Sequence, residues 1–375
     1  MKIGIDLHTV TRFMQGTRTY TLGIVKNLLD IDKENEYYLY ITRDNENIRD
    51  IFPQKNVSFR HIFPHNRIIR IPISFPIRLA MDSIDVFHCQ YMGPPLAKTP
   101  YVVMIHDIIH EYFPEFYPRS LCYMMRVFYP ISARRANRIL TVSESSKRDI
   151  IKYFKVSEEK VIVTYDAAAE DFRPIMEKDK IKSALQKYGI NGEYILFVGR
   201  LEPRKNIPSL IRAFHELKKW KNIKQKLVIV GMKYFRHEEI FKCVNDLGLQ
   251  SEVILTGRVE DDDLPLFYNG ASLFVYPTIA EGFGIPPLEA MACGTPVISS
   301  NTSSLPEVVG DAGILIDPYN IKDLAGAIYK VLSDKNLQEK MKIEGLKRAK
   351  VFSWKKTAKK TLNVFTDVYN EKNNK

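Results

Sequence analysis

Short β-branched or aromatic runs alternate with longer amphipathic runs along the 375 residues of this chain. This alternation is typical of βαβ units, whose strands pair in parallel. The candidate strands in the first half are KIGIDL, EYYLYIT, IDVFHC, YVVMIH, RILTV and VIVTY. Those in the second half are YILFVG, KLVIVG, EVILTG, LFVYP, PVISS and GILI. The pattern predicts an α/β protein, with helices that include Thr19 to Asp30, Arg119 to Ala136 and Ser145 to Phe154.

The length of the chain and a polar segment in its middle predict two domains. A mass of 43.4 kDa is too large for one ordinary core, and residues 166 to 193 separate two sets of strands. We expect Rossmann-like, doubly wound domains at 1–170 and 171–353, with an amphipathic helix at 354–375 that crosses back to the first domain. Two such domains would face each other across a cleft, with ligands at the carboxyl ends of the strands.

The composition is that of a soluble globular protein, with 45% hydrophobic and 26% charged residues. Asp6 and His8 interrupt the start where a signal peptide needs an apolar run, and the sequence has no apolar run of about 18 residues. The four cysteines lie far apart, so we expect them to be reduced and mostly buried. The sequence therefore predicts a cytoplasmic protein.

A net charge of +11 suggests a polyanionic partner. Nucleic acid is not expected, because the chain has no basic run or nucleic-acid motif. Two acid-free stretches, between Asp50 and Asp82 and between Glu115 and Glu144, mix basic with apolar side chains, as a surface for anionic lipid would. The second stretch is more typical of a core helix with an arginine-rich outer face. The first leaves both interpretations open; its residues are Lys55, Arg60, Arg67, Arg70 and Arg78 among Phe59, Phe63, Ile68, Ile69, Ile71 and Phe75.

The segment EGFGIPPLE, bounded by Glu281 and Glu289, follows the candidate strand LFVYP. Its glycines allow close backbone approach to a ligand, and its prolines suit the first turn of a helix, whose N-terminus favours an anion. The two carboxylates could accept hydrogen bonds from hydroxyl groups of a sugar. Equally, they could be ordinary acids that compensate a helix dipole.

Other candidates also follow predicted strands. Arg200 and Lys205 come directly after YILFVG, where two cations could hold a diphosphate or form a solvated loop. His106 ends YVVMIH and could donate a hydrogen bond to a ligand hydroxyl, and Gly16 precedes a helix where backbone could approach a ligand. The three acids at 261–263 could form a metal site, but their position directly before a predicted helix favours compensation of the helix dipole. No metal is therefore expected.

These segments resemble glycosyltransferase family 4, which has the GT-B fold. The resemblance is carried by EGFGIPPLEAMACGTPVISS, SSLPEVVGDAGILIDP, VGRLEPRKN and HDIIHEYFPEFYP. It implies that Arg200 and Lys205 neutralise a donor diphosphate, that Glu289 holds the ribose and that Glu281 and His106 face the donor sugar. The donor-binding set that it implies is Gly16, Arg200, Lys205, Glu281, Gly282, Phe283, Gly284, Ile285 and Glu289, with Glu281, His106, Arg200 and Lys205 in catalytic roles.

The resemblance further implies a retaining, metal-independent hexosyltransferase that needs no cofactor. It would move mannose or glucose from a GDP- or UDP-linked sugar to a glycan or lipid-linked acceptor in cell-surface polysaccharide synthesis. The enzyme would be cytoplasmic, with peripheral contact to the inner face of an anionic membrane. The residues leave open a nucleotide-sugar epimerase on the same scaffold and a non-catalytic nucleotide-sugar-binding protein.

Overall fold

The computed structural model describes residues 1–10, 16–42 and 48–374. It contains thirteen strands within those ranges, all paired in parallel. They are β1 (Lys2–Asp6), β2 (Glu36–Ile41), β3 (Val57–His61), β4 (Val86–Gln90), β5 (Tyr101–Met104), β6 (Arg138–Thr141), β7 (Val161–Val163), β8 (Tyr194–Val198), β9 (Lys226–Val230), β10 (Val253–Gly257), β11 (Leu273–Tyr276), β12 (Val297–Ser300) and β13 (Ile314–Ile316).

The helices of the same ranges lie mostly between consecutive strands. They are α1 (Gly16–Ile31), α2 (Arg67–Ile69), α3 (Phe75–Met81), α4 (Arg119–Arg135), α5 (Glu144–Phe154), α6 (Lys178–Gln186), α7 (Ile207–Lys221), α8 (Glu238–Asp246), α9 (Leu264–Gly270), α10 (Ile285–Ala292), α11 (Leu305–Val309), α12 (Ile321–Ser333), α13 (Lys335–Ala349) and α14 (Trp354–Asn373). A π-helical turn, Arg70–Ser74, joins α2 to α3.

The chain forms two compact α/β units. The first comprises Met1–Pro114, Arg119–Asp166 and Ser353–Lys375, and the second comprises Glu115–Pro118 and Ala167–Phe352. The main division therefore lies at residue 166, four residues before the boundary that the sequence indicates. The polar segment that follows contains α6, a helix that the sequence pattern did not reveal.

The sheet of the first unit has the order β3-β2-β1-β4-β5-β6-β7. Strand β3 was missed in the sequence, because its residues VSFRH are only half-buried at the edge of the sheet and lack a continuous apolar run. This strand and α3 also alter the interpretation of the first basic stretch. Phe59 belongs to the edge strand, and Arg70 and Phe75 are buried, so these three side chains are not a lipid-facing surface.

Helix α14 belongs to the first unit, although it comes last in the sequence. It packs along α1 so closely that a Cβ atom on Gly23 would lie 2.6 Å from the ring of Trp354. The Thr357 hydroxyl donates a hydrogen bond to the backbone carbonyl of Tyr165, and Arg138 forms an ion pair with Glu371. Helix α14 therefore supplies part of the first unit's core.

The sheet of the second unit has the order β10-β9-β8-β11-β12-β13. From β8 the chain proceeds to β9 and β10 on one side, and then returns to β11, β12 and β13 on the other. Loops that leave β8 and β11 consequently diverge, which opens a crevice at their carboxyl ends. All four cysteines are buried and reduced, as expected. Among the helices of the described residues, none is both long enough and apolar enough to cross a membrane.

Candidate active site at the carboxyl ends of β8 and β11

Glu281 lies at the centre of a buried charge network in the second unit. Its Oε1 atom accepts a hydrogen bond of 2.6 Å from Lys205 Nζ, and its Oε2 atom lies 2.9 Å from Arg204 Nη1. The Tyr276 hydroxyl donates to Oε1 over 3.2 Å and accepts from Lys205 over 2.7 Å. Because Lys205 follows β8 and Glu281 follows β11, adjacent strands bring these groups together across 76 residues of sequence.

Charge, rather than burial, decides the protonation state of Glu281. Burial alone would raise its pKa, but the adjacent Arg204 and Lys205 outweigh burial and hold the pKa at about 2. Burial lowers the pKa of Lys205, and Glu281 and Glu202 oppose that change. Glu281 is therefore a carboxylate at neutral pH, and its geometry is fixed by two cations and a phenol.

Arg200 occupies a different environment from Lys205. Its side chain is 39% exposed, and Nη2 lies 3.3 Å from Glu202 Oε2. Its guanidinium sits over the ring of Tyr234, 4.3 Å from the ring centroid. Glu202 also accepts a hydrogen bond of 2.8 Å from Arg204, so one buried carboxylate links the accessible arginine to the buried network.

The backbone around Glu281 is held by two serines that follow β12. The amide of Glu281 donates to Ser303 Oγ over 2.9 Å. The hydroxyl of Ser304 donates to the carbonyls of Glu281 and Phe283, at 2.9 and 2.6 Å. These contacts fix the loop that carries the predicted donor-binding residues.

Helix α10 begins directly after this loop, and its first turn contains Pro286 and Pro287 as the sequence predicts. Gly284 has φ of +113°, and a Cβ atom there would lie 2.7 Å from the Leu305 side chain, so glycine is required. Since proline carries no amide hydrogen, only Gly284 and Ile285 can offer N–H groups at the start of this helix. The helix N-terminus therefore contributes less to anion binding than the sequence suggests.

Glu289 lies one turn into α10 and is chemically distinct from Glu281. Its carboxyl accepts a 2.8 Å hydrogen bond from the Tyr268 hydroxyl, inside the unit. Burial raises the pKa of Glu289 to about 7, and the bond from Tyr268 only partly opposes it. The two glutamates at the ends of this segment therefore have well-separated pKa values. At neutral pH, Glu281 is ionised and Glu289 is about half protonated.

Asn206 connects the β8–α7 loop to the loops after β11 and β13. Its side-chain amide donates to the carbonyls of Pro277 at 3.1 Å and Pro318 at 2.7 Å, and its Oδ1 atom accepts from Ser209. Asn206 itself has φ of +55°, a conformation that asparagine tolerates better than most residues. These bonds fix the turn that carries Arg204 and Lys205.

His106 lies in the first unit, directly after β5, and is buried. Burial, together with the nearby His88, lowers its pKa to about 3, so the imidazole is neutral. Its Nε2 atom lies 2.9 Å from Gln90 Oε1. With the amide oxygen as acceptor, Nε2 carries the proton and Nδ1 is left as an acceptor. The predicted role of His106 toward the donor sugar remains a prediction.

Gly16 and Asp263 were also singled out in the sequence. Gly16 begins α1 and is exposed, and a Cβ atom placed on it would meet no neighbour within 4 Å, so packing alone does not require glycine there. Gln15 and the rest of 11–15 lie outside the described residues. Asp263 accepts a hydrogen bond from the Tyr188 hydroxyl at 3.0 Å and lies 3.7 Å from Lys187 Nζ. That the site needs no metal stays a prediction.

Sequence reasoning missed several members of the network, namely Glu202, Arg204, Tyr276, Ser303 and Ser304. Arg204 and Glu202 stand beside the predicted Arg200 and Lys205, and an acid between basic residues after a core strand was an available signal. Tyr276 was seen only as part of a strand. The serines carry no distinguishing pattern.

Comparison with known families covers most of the chain. Residues 14–168 match the model described as Glycosyltransferase Family 4, and residues 177–348 match Glycosyl transferases group 1. The chain is also 32% identical to O-antigen chain mannosyltransferase B of Escherichia coli, over 97% of this chain and 99% of that protein. The chain belongs to glycosyltransferase family 4. It is thus a hexosyltransferase, as its sequence implies.

A second relative matches over a smaller share of its own length. Serotype-specific mannosyltransferase WbdA of Escherichia coli is 30% identical over 92% of this chain, which spans 44% of WbdA. The solved structures confirm the GT-B fold. Sucrose-phosphate synthase from Thermosynechococcus elongatus superposes with a TM-score of 0.79 at 18% identity, covering 99% of this chain and all of that one. Anabaena Alr3699/HepE in complex with UDP and glucose gives 0.77 at 19% identity, with coverages of 98% and 100%.

Proposed function

We propose that this family 4 enzyme transfers mannose from GDP-mannose to a lipid-linked glycan, with retention at the anomeric carbon. The observation that carries the proposal is the Lys205–Glu281–Arg204 network at the carboxyl ends of β8 and β11. Mannose is favoured because two relatives that each match over more than 90% of this chain are named mannosyltransferases. Guanine is proposed as the base because GDP-mannose is among the donors that the family resemblance implies.

Departure of a nucleoside diphosphate places negative charge on phosphate, and the network can stabilise that charge. The Lys205 ammonium has three N–H donors, of which Tyr276 and Glu281 take two. The third is available to a phosphate oxygen. Arg200, half exposed and stacked on Tyr234, adds a forked donor. Fixed donors of this kind stabilise developing charge without reorganisation at the moment of reaction.

Glu281 is suited to position the donor sugar. A carboxylate has about four acceptor positions, and Lys205, Tyr276 and Arg204 use three of them. One position remains for a sugar hydroxyl. A carboxylate held by two cations is a poor nucleophile, so we assign Glu281 to orientation and to support of cationic character at the anomeric carbon. The acceptor hydroxyl would attack from the face that the phosphate leaves, and that phosphate would take its proton.

Glu289 and the loop before it complete the proposed donor site. The Glu289 carboxylate would accept hydrogen bonds from the ribose hydroxyls, and the backbone of residues 282–285 would lie beside the sugar and diphosphate. With three cations and two carboxylates, the Arg200, Arg204, Lys205, Glu202 and Glu281 cluster carries one net positive charge. That charge would take the place of a divalent metal, so we expect EDTA to leave the transfer rate unchanged.

A lipid-linked glycan grows at a bilayer surface, so we propose that the enzyme works in peripheral contact with an anionic membrane. Support comes from the name of the O-antigen relative and from the two acid-free basic stretches of the sequence.

The test combines a binding panel with a transfer assay. Melting temperatures are measured with GDP, UDP, ADP and the corresponding sugars; a ligand at 100 times its Kd adds about 2.7 kcal/mol to the free energy of unfolding. We expect GDP and GDP-mannose to raise the melting temperature and UDP to have little effect. Mannose transfer to a mannose-terminated glycan is then followed by mass spectrometry. A shift with UDP alone would overturn the donor assignment, and conversion of the nucleotide sugar into an isomeric nucleotide sugar without acceptor would indicate an epimerase.

A further inference from the structure

The helices that cover one side of the first unit carry an unusual outer surface. The connections β3 to β4 and β5 to β6 run in the same direction along the sheet, and right-handed crossovers in one direction lie on one face. The segment 67–81 and helix α4 therefore share a layer. The Arg67 side chain lies close enough to the Tyr129 hydroxyl of α4 for its charge to oppose the rise that burial and Asp107 cause in the pKa of that hydroxyl.

Apolar side chains line the solvent side of the segment 67–81. Its inner residues, Phe75 and Leu79, are buried in the core of the unit. Its outer row has a spacing of four residues and is exposed, with Ile68 beside it; the row is Ile69, Ile73, Ile77 and Met81. Residues spaced by four form a continuous ridge on a helix, so this row is a ridge directed at solvent.

Helix α4 repeats the arrangement. Its inner face contains buried Cys122, Met125 and Tyr129, as expected for a core helix. Its outer face nevertheless exposes Tyr123, Val127, Phe128 and Ile131. The row that runs through Tyr123, Val127 and Ile131 at a spacing of four has an arginine at each end, Arg119 and Arg135, both exposed. The sequence predicted only the arginines on this face.

These two segments hold nine of the twenty-one exposed large apolar side chains in the described part of the chain, at 36% to 75% exposure. Scattered exposed apolar residues are ordinary, but a concentration of them marks an interaction surface. The same two segments contain seven arginines and no aspartate, glutamate or lysine. We call the outer side of residues 67–81 and 119–135 the arginine-apolar face.

The arginines of these segments differ in their surroundings. Arg70 is buried, and two others pair with acids that lie just outside the segments, Arg78 with Asp82 and Arg126 with Glu111. The remaining four are exposed; they are Arg67, Arg119, Arg134 and Arg135. The arginine-apolar face therefore keeps four exposed positive charges beside its two apolar ridges.

We infer that the arginine-apolar face binds an anionic lipid surface, with its two apolar ridges among the upper acyl chains and its arginines on headgroup phosphates. Arginine donates forked hydrogen bonds to phosphate, and its stem lies along apolar surface while the guanidinium reaches water. Exposed apolar rows rimmed by cations are the recognised features of helices that lie in the membrane interface.

Charge disfavours the main competing occupant of this surface. A second copy of the chain that docked through the same face would bring the exposed arginines of both copies together without an acid on either segment, which opposes association. A lipid surface instead offers phosphate at every position and adapts to the ridges. The inference rests on the proposed function, because a lipid-linked acceptor gives this enzyme a reason to approach a bilayer.

The test uses vesicles of phosphatidylcholine with phosphatidylglycerol, and pure phosphatidylcholine as a reference. Sedimentation measures the bound fraction of the full chain and of Ile73→Asp/Ile77→Asp, a pair at 51% and 57% exposure. The matched control is Ile343→Asp/Val351→Asp, a pair in the second unit at 45% and 51% exposure. We expect the first pair to weaken binding to anionic vesicles about tenfold or more, since it adds two negative charges and removes apolar contact. The control is expected to bind as the parent does.

A second variant on the other ridge, Tyr123→Asp, guards against a local folding defect in the first. Melting temperature and mannose transfer to a soluble acceptor without vesicles report the fold and the active site of each variant. Unchanged vesicle binding in both ridge variants, or an equal loss in the control pair, would overturn the inference. The inference would also be overturned if the parent chain did not bind vesicles and the ridge variants changed it from a dimer to a monomer. That result would assign the face to self-association. Absence of mannose transfer by a parent chain that binds anionic vesicles would contradict only the proposed function.

Discussion

Cations lie in opposite environments in the two units. In the second unit, Arg204 and Lys205 are buried and bonded to Glu202 and Glu281 at 2.6 to 2.9 Å. On the arginine-apolar face of the first unit, four arginines are exposed and their helical segments hold no acid. Burial is tolerable in the first case because each charge has a partner. At the surface, water solvates the charge, which leaves it available to an external anion.

The difference in burial predicts how the two sets of cations respond to salt. A buried network is insensitive to salt and fixes geometry, whereas exposed charges act over a Debye length and weaken as salt rises. Substitutions in the second unit should therefore change the transfer step at any ionic strength. Substitutions of arginines on the arginine-apolar face should change only binding to an anionic surface, and only at low salt.

The largest effect is expected for Lys205→Ala. The change removes the donor that we propose for the leaving phosphate, so kcat for mannose transfer should fall about 10² to 10³-fold. Arg204 still neutralises Glu281, so we expect the protein to remain folded with a lowered melting temperature. Lys224→Ala, which removes an exposed ion pair with Glu193 in the same unit, is the control. Near-normal turnover of the Lys205 variant would remove the proposed phosphate contact.

Glu281→Gln separates sugar positioning from phosphate binding. The amide keeps the shape of the side chain but loses the charge that holds Lys205 and Arg204. Transfer should fall about 10²-fold through misplacement of the sugar, while GDP binds equally well or more tightly because a repelling carboxylate is gone. Calorimetric titration of GDP and single-turnover rates give the two quantities. Equal losses in both would mean that Glu281 holds the nucleotide.

The pH dependence of stability should contain a contribution from Glu289. Its pKa of about 7 lies above the ordinary value of 4.5, so between these pH values the folded state binds more protons than the unfolded state. Stability contributed by this group is present below pH 4.5 and is lost as pH rises through 7, by up to about 3 kcal/mol. Urea unfolding from about pH 5 to about pH 8 should show a decline in the parent that Glu289→Gln lacks.

The same carboxyl links nucleotide affinity to pH. Ribose hydroxyls that donate to Glu289 favour its ionised form, so GDP affinity should rise from about pH 6 to about pH 8, by less than about tenfold per pH unit. Tyr268→Phe removes the hydrogen bond that lowers the pKa of Glu289. That variant should therefore shift the rise to higher pH. An unchanged profile in Glu289→Gln would show that another group controls it.

The smallest catalytic effect is expected for Arg119→Gln on the arginine-apolar face. Transfer to a soluble acceptor should be unchanged, because the side chain lies outside the second unit's network. Binding to anionic vesicles should weaken about fivefold at low salt and converge with the parent at high salt. Arg212→Gln, an exposed arginine of α7 in the second unit, is the control. An equal loss in both variants would indicate that net charge alone governs binding.

The sequence predicted the strands best where they are buried on both faces, as with YILFVG and LFVYP. It failed for β3, whose half-buried edge position leaves no unbroken apolar run. It also failed for α6, which lies within a polar segment. Edge strands and surface helices depend on packing partners that are distant in the sequence, and a local pattern does not contain them.

The sequence predicted which loops carry the site residues but not which side chains contact one another. Arg200, Lys205, Glu281 and Glu289 were identified from their positions after strands. The ion pairs between Lys205, Arg204 and Glu281 were not, because they depend on which rotamers meet across the β8–β11 pair. Likewise, the two glutamates differ in pKa because Arg204 and Lys205 lower the pKa of Glu281 while burial raises that of Glu289, and both causes exist only in the folded chain.

Helix α14 has a consequence for biosynthesis. It packs against α1 through Gly23 and Trp354, although almost the whole sequence separates the two helices. A ribosome releases the chain from its N-terminus at about 5–20 residues per second, so the first unit waits for its last helix while residues 167–352 can already fold. The second unit can therefore complete its core first, and the arginine-apolar face is presented on a fully formed unit only after all of α14 has been synthesised.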